Sequence, residues 1–174
     1  MNRRTILSLT TMTILSLMIG LTPDSAVGQE KQHVSYKTSS ENTEVHATNV
    51  DVGDVPNHIV RVFDVHRTHK DGPMINGVRL VEEFARGTTD LTDSNGTSVG
   101  YGVYVLENGD KFLARFTQVN KNSSGKVAAS GVGPVTGGTG KLAEIHGVVQ
   151  FVVSFDVKSG FNEQQTDIDY TVGK

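Results

Sequence analysis

The sequence predicts an all-β domain, and its runs, its turns and its glycines each carry that expectation. Apolar runs rich in β-branched and aromatic residues recur at roughly ten-residue intervals, over 58–66, 77–86, 98–107, 110–120, 126–132, 147–157 and 168–172. Gly, Asn and Asp separate them, as the turns of an antiparallel sandwich or barrel require. No window carries an apolar stripe with helical period. Eleven of the nineteen glycines lie between Gly96 and Gly147, which suits sharp turns and strongly coiled strands.

The N-terminal segment reads as an export signal. Arg3 and Arg4 precede an apolar stretch from Ile6 to Leu21, and Ala26-Val27-Gly28 offers a small-x-small cleavage site before Gln29. The apolar stretch is short for a ~30 Å hydrocarbon core, so a signal peptide over 1–28 is expected rather than a membrane anchor. The paired arginines also fit a twin-arginine signal. A periplasmic or secreted protein with no membrane span after cleavage follows.

Cleavage would remove Arg3, Arg4 and Asp24 from 16 cations and 19 acids, leaving 14 against 18 over 146 residues. That is about one domain, and a chain of this size buries roughly 68–70% of its unfolded surface. Such a core needs no staples, in keeping with the absence of cysteine. Thiolate zinc sites are excluded for the same reason. The charges are scattered without a basic stripe, so nucleic acid is not an expected partner. Residues 29–56 are polar and poor in aromatics, and read as a partly flexible leader with one short strand near His33 to Lys37. Residues 57–174 form the expected domain.

One hairpin can be derived residue by residue. Asn108-Gly109 is a favoured pair for a two-residue type I′ turn. Glu107 then opposes Asp110, and Val105, Val103 and Tyr101 meet Phe112, Ala114 and Phe116 on a buried face. The other face pairs Leu106 with Lys111, Tyr104 with Leu113 and Gly102 with Arg115, a mixed surface suited to subunit contact. In the run 147–157, Val149, Phe151, Val153, Phe155 and Val157 share one face. As core, Phe151→Ala would cost about 3–5 kcal/mol.

Gly100-Tyr101-Gly102-Val103-Tyr104-Val105, the strand from Lys111 to Val119, and Val135-Thr136-Gly137-Gly138-Thr139-Gly140-Lys141-Leu142-Ala143 together resemble the allene oxide cyclase barrel-like superfamily. That group includes plant allene oxide cyclases, dirigent proteins and bacterial spirotetronate cyclases, and the likeness covers residues 96–157. It implies a closed antiparallel eight-stranded β-barrel, calycin-like, with an apolar cavity and assembly as homodimers or homotrimers. It also implies cofactor-free chemistry by confinement of a reactive intermediate. No catalytic residue carries over, because the acidic and water-holding positions of the plant cyclases and the aspartate motif of dirigent proteins have no counterpart here.

Gly138-Thr139-Gly140-Lys141-Leu142-Ala143 matches a dinucleotide-binding pattern but precedes a strand, not the helix that pyrophosphate binding needs. It also fails as a P-loop, since Val135 and Leu142 stand at the required glycine and hydroxyl positions. His58, Asp64 and His66 share a strand face and could hold a metal or relay a proton. A third ligand is not placed by the sequence, so no metal is expected. Glu82 and Glu83 lie on opposite faces of one strand. Whichever points inward needs a cation such as Arg115 or Arg61, and would be the acid–base candidate.

The expected function is binding of a small apolar molecule in a lumen lined by Tyr101, Val103, Phe112, Phe116, Phe151 and Phe155, with Arg115 orienting it. A cofactor-free cyclase or isomerase using the same lumen is the first alternative. A barrel filled by its own side chains and serving as an interaction module is the second.

Overall fold

A computed structural model describes residues 30–156, 158–159 and 161–173. The expected signal peptide lies outside them. Ten strands form one antiparallel system: β1 (Gln32–Ser39), β2 (Thr43–Asp51), β3 (His58–Thr68), β4 (Met74–Ile75), β5 (Val78–Thr92), β6 (Asn95–Leu106), β7 (Lys111–Ser123), β8 (Lys126–Gly138), β9 (Ile145–Asp156) and β10 (Asn162–Val172). Each apolar run of the sequence falls in a strand. The order is β1-β10-β9-β8-β7-β6-β5-β3-β2, with β4 paired only to β5. Among the described residues no helix is long and apolar enough to cross a membrane.

Two expectations are corrected here. The sheet is not a ladder closed on itself with eight strands: β1 and β2 are its two edges, and no backbone ladder joins them. A single turn of 3-10 helix, Ser40–Asn42, links those edges, so the curled sheet is pinned at one corner by the chain. The leader at 29–56 holds more than the one short strand expected near His33 to Lys37: that strand is β1, and β2 follows it as the other edge. An edge strand exposes one long side and needs few apolar residues, which is why its composition reads as loop. In β1 the inward residues are Val34, Tyr36 and Thr38, alternating with exposed His33, Ser35 and Lys37.

The hairpin from β6 to β7 departs from its expected register by one residue. Leu106 N–H donates to the Asp110 carbonyl and Gly109 N–H to the Leu106 carbonyl, each at 2.8 Å, which makes a three-residue loop. Only Gly109 has positive φ, at 86°, the arrangement of a type I turn followed by a left-handed residue. The Asn108 side chain decides the matter, accepting from Asp110 N–H at 3.0 Å and donating to the Asp110 carboxylate at 2.9 Å. Tyr104 therefore pairs with Phe112, Gly102 with Ala114 and Gly100 with Phe116. With a period of two, that slip turns Tyr101, Val103 and Val105 outward. The two-residue loops occur instead at Asn76-Gly77, Asp93-Ser94 and Ser124-Gly125, all at positive φ.

A bulge in β5 does the converse. The register shifts between Leu80 and Glu82, so Leu80 and Glu83 both point inward although an odd spacing separates them. One end of the barrel is filled by Ile75, Leu80, Leu106, Phe112, Leu142 and Ile145, each at most 2% exposed. Above this plug, aromatic rings lie flat against glycines of the neighbouring strand. A Cβ on Gly100 would stand 2.6 Å from the Phe116 ring, and one on Gly131 would stand 2.2 Å from the Phe151 ring. The glycine-rich β6 and β8 thus supply recesses that let large rings line the wall without filling the interior.

Gly133 differs in kind from Gly131, since its Cβ would fall 1.5 Å from the Arg115 carbonyl oxygen, a backbone atom that cannot swing aside. Gly133→Ala is expected to cost about 1–3 kcal/mol or more, and Gly131→Ala less, because the Phe151 ring can rotate away. Urea melts of the two variants check this, and an equal cost would refute the distinction.

Candidate functional site

The open upper half of the barrel is a cavity of about 390 Å³, within the usual range for a small-molecule site. A shallow depression at the loop end, along Asp51 to Ile59, is larger at about 640 Å³ but open to solvent. The lumen cavity is the deeper and more apolar of the two, and so the better-formed site. Its walls are apolar: Phe63 and Val65 on β3, Ala85 on β5, Phe116 on β7, and Phe151 and Val153 on β9. Phe116 meets Phe63 at a centroid separation of 6.4 Å and meets Phe151 edge-on at 5.5 Å.

The floor is charged. Glu83, 2% exposed, rests beside Tyr104, which stacks on Phe112 of the plug at 4.3 Å. Gln164 Nε2 donates to Glu83 Oε1 at 2.9 Å, and Tyr36 Oη donates to Oε2 at 3.0 Å. Arg67, 4% exposed, places Nη1 3.4 Å from Oε1. His69 Nε2 lies 3.7 Å from Oε2, an ion-pair distance rather than a hydrogen bond. These contacts join β1 and β10 to β3 and β5 through one carboxylate, linking the β1 edge of the open sheet to the strand next to its β2 edge. Burial alone would push the Glu83 carboxyl up, but His69, the Arg67 charge and the Gln164 amide outweigh it and hold the group below its ordinary value. Burial and the neighbouring Glu83 charge push both Tyr36 and Tyr104 well above the usual phenol range, so they remain protonated.

A neutral belt runs along the β5–β6–β7 wall of the lumen further up. Thr89 Oγ1 donates to Ser98 Oγ at 3.0 Å, Asn120 Nδ2 donates to the same oxygen at 2.9 Å, and Gln118 Nε2 donates to Asn120 Oδ1 at 2.6 Å. Two polar atoms at the cavity are left over. Arg67 Nε and Asn162 Oδ1 have no hydrogen-bond partner among the described residues.

Of the residues expected to line the lumen, Phe116, Phe151 and Phe155 do so. Phe112 points inward but is sealed in the plug, fully buried. Tyr101, Val103 and Arg115 lie on the outer face, with the Arg115 guanidinium 5.4 Å from the Tyr101 ring centroid. The register slip at Asn108 is the reason. Glu83, not Glu82, faces in, and its cation is Arg67 rather than Arg115 or Arg61. His58, Asp64 and His66 occupy the outer surface with separate partners: Asp54 and Asp90 for His58, Arg86 for Asp64, and Glu82 for His66. They do not converge.

Sequence reasoning missed Phe63, Arg67, Gln164 and Tyr36. Arg67 and Phe63 share a parity with Arg61 on a strand that was recognised, so their common face was open to inspection. Tyr36 lay in the short strand expected near His33 to Lys37, but its polar surroundings did not mark its face, and Gln164 precedes the recognised run 168–172.

No protein-family model matches the sequence, and no curated protein sequence matches it. Among solved structures, the pterocarpan synthase dirigent protein PsPTS1 superposes with a TM-score of 0.52 at 15% identity, covering 83% of this chain and 97% of that one. The pterocarpan synthase dirigent protein GePTS1 gives 0.47 at 14% identity, covering 84% and 87%. At such identity the likeness to the first speaks to architecture alone. The chain has the dirigent-type, allene oxide cyclase-like β-barrel fold.

Proposed function

We propose that this protein binds a small, largely apolar molecule in the barrel lumen and holds it in one orientation over the Glu83–Arg67 floor. The observation that carries this reading is the asymmetry of the cavity: an aromatic wall kept open by glycines, with charged groups confined to few positions. A site of that form takes the body of a ligand by burial and fixes its direction by one polar end. The similarity in fold to dirigent proteins supports confinement as the mode of action. Export through residues 1–28, and assembly through the outer row Val62, Val99, Thr117 and Val132, belong to the same proposal.

Catalysis of cyclisation or isomerisation in this lumen is the second reading, favoured by one observation, the buried carboxylate at the floor. A carboxyl held below its ordinary value is a weak base and a poor proton donor near neutrality. It would act by stabilising developing positive charge. Binding and orientation therefore come first.

Native mass spectrometry of the protein purified from its own host tests the proposal. The expected spectrum shows a chain beginning at Gln29, carrying one retained small molecule per barrel that gentle activation releases. Bare protein that also fails to take up any apolar probe would overturn the binding reading.

A further inference from the structure

We infer that the molecule taken into this lumen is an anionic aromatic compound, a compact arene carrying one carboxylate, sulfonate or similar group. This deepens the proposed binding function and rests on it. Among the described residues that line the cavity, the charged side chains are Arg61, Arg67 and Glu83, two guanidinium groups against one carboxylate. Glu83 is already taken by Arg67 at the floor. Arg61 stands six residues along β3, about 20 Å away at ~3.4 Å per residue. Its Nε donates to the Asn49 amide oxygen at 2.7 Å, a neutral partner, and among the described residues it forms no ion pair.

The lumen therefore holds one uncompensated positive charge, inside a chain whose formal net charge is −3. Arg61 sits at the exposed rim of the cavity with only that neutral partner, and its flat fork matches a carboxylate or sulfonate edge on. Around Arg61 the lumen offers the Thr89–Ser98–Asn120–Gln118 belt, whose hydroxyl and amide groups can solvate the same anion. Deeper in, the ring slot between Phe63, Phe116 and Phe151 suits a planar body, since tilted and edge-on aromatic contacts are already its internal geometry. Anion at the Arg61 level and ring in the phenylalanine slot make one compact amphipathic ligand; Arg67 Nε, buried and unpartnered at the floor, lies beyond its reach.

Two fluorescent probes that differ only in charge test this. Anilinonaphthalene sulfonate carries the anion; N-phenylnaphthylamine presents the same ring system without it. The full chain is titrated with each. The sulfonate is expected to bind about tenfold or more tighter, the worth of one charge-assisted contact, and to weaken with added salt. Arg61→Gln should remove that advantage while leaving the neutral probe within about twofold, and Arg61→Lys should restore part of it. Retained binding of the neutral probe shows that the variant is folded. Equal affinity for both probes, or an equal loss of both in Arg61→Gln, overturns the anionic class and leaves lumen binding standing. Failure of both probes to bind the wild-type protein overturns the lumen reading as well.

Discussion

Arg67→Met should destabilise the fold by about 3–5 kcal/mol at neutral pH, because it strands a carboxylate inside the barrel without its cation. Arg67 and Glu83 are 4% and 2% exposed, so water cannot replace the lost partner. The loss also severs the hub through which β1, β3, β5 and β10 are joined, in a sheet whose edges have no ladder. Adding Glu83→Gln to Arg67→Met should recover most of the cost, since it removes the stranded charge. A double-mutant cycle by urea denaturation reads the coupling directly. Single and double variants of equal stability would show that Glu83 is not held as an ion pair.

The pH dependence of this pair has a definite sign. In the wild type the folded Glu83 carboxyl lies below its ordinary value. Its contribution is therefore fully present above the unfolded value, about 4.3, and is lost as pH falls through the lower folded value. In Arg67→Met one of the contacts that lower the carboxyl is lost, so the folded value rises from its wild-type position and less of the contribution is present at neutral pH. The gap between wild type and variant should thus be widest near neutrality and should close towards pH ~4. A gap that widens in acid would contradict the assignment.

Phe112→Ala should cost about 3–5 kcal/mol, the range for deleting a large ring from a packed interior. Its ring is fully buried and stacked on Tyr104 in the part of the barrel that has no free space. Phe151→Ala should cost about 1–3 kcal/mol, below what the strand pattern alone suggests, because that ring already borders the cavity and is only partly buried. The order of the two, measured at equal denaturant slope, separates a plugged end from an open one. If Phe151→Ala costs as much as Phe112→Ala, the lumen is filled in solution.

The fold was legible where one side of a strand is apolar and turn residues bound it. β3 and β5 to β10 announce themselves in this way, and the resemblance to the allene oxide cyclase-like barrel rested on three of them. Only a short piece of β1 was legible and β2 was hidden, because an edge strand has only one neighbour and tolerates polar residues along its length. The candidate site was half legible. Phe116, Phe151 and Phe155 followed from parity within their own strands, which a local sequence does fix. Tyr101, Val103 and Arg115 failed because their facing depends on how many residues the 106–110 loop contains. Asn108 settled that through a side-chain contact with Asp110.

By itself, then, the sequence determined the all-β class, the alternation within each strand and the need for an inward glutamate to find a cation. The tertiary structure decided which glutamate it was, through the bulge between Leu80 and Glu82, and which arginine met it. It also decided that the glycines of β6 and β8 would leave room for Phe116 and Phe151 to lie against the wall. Register, bulges and cross-barrel partners depend on residues far apart in the chain arriving together. A period of two specifies a face only up to a single-residue slip.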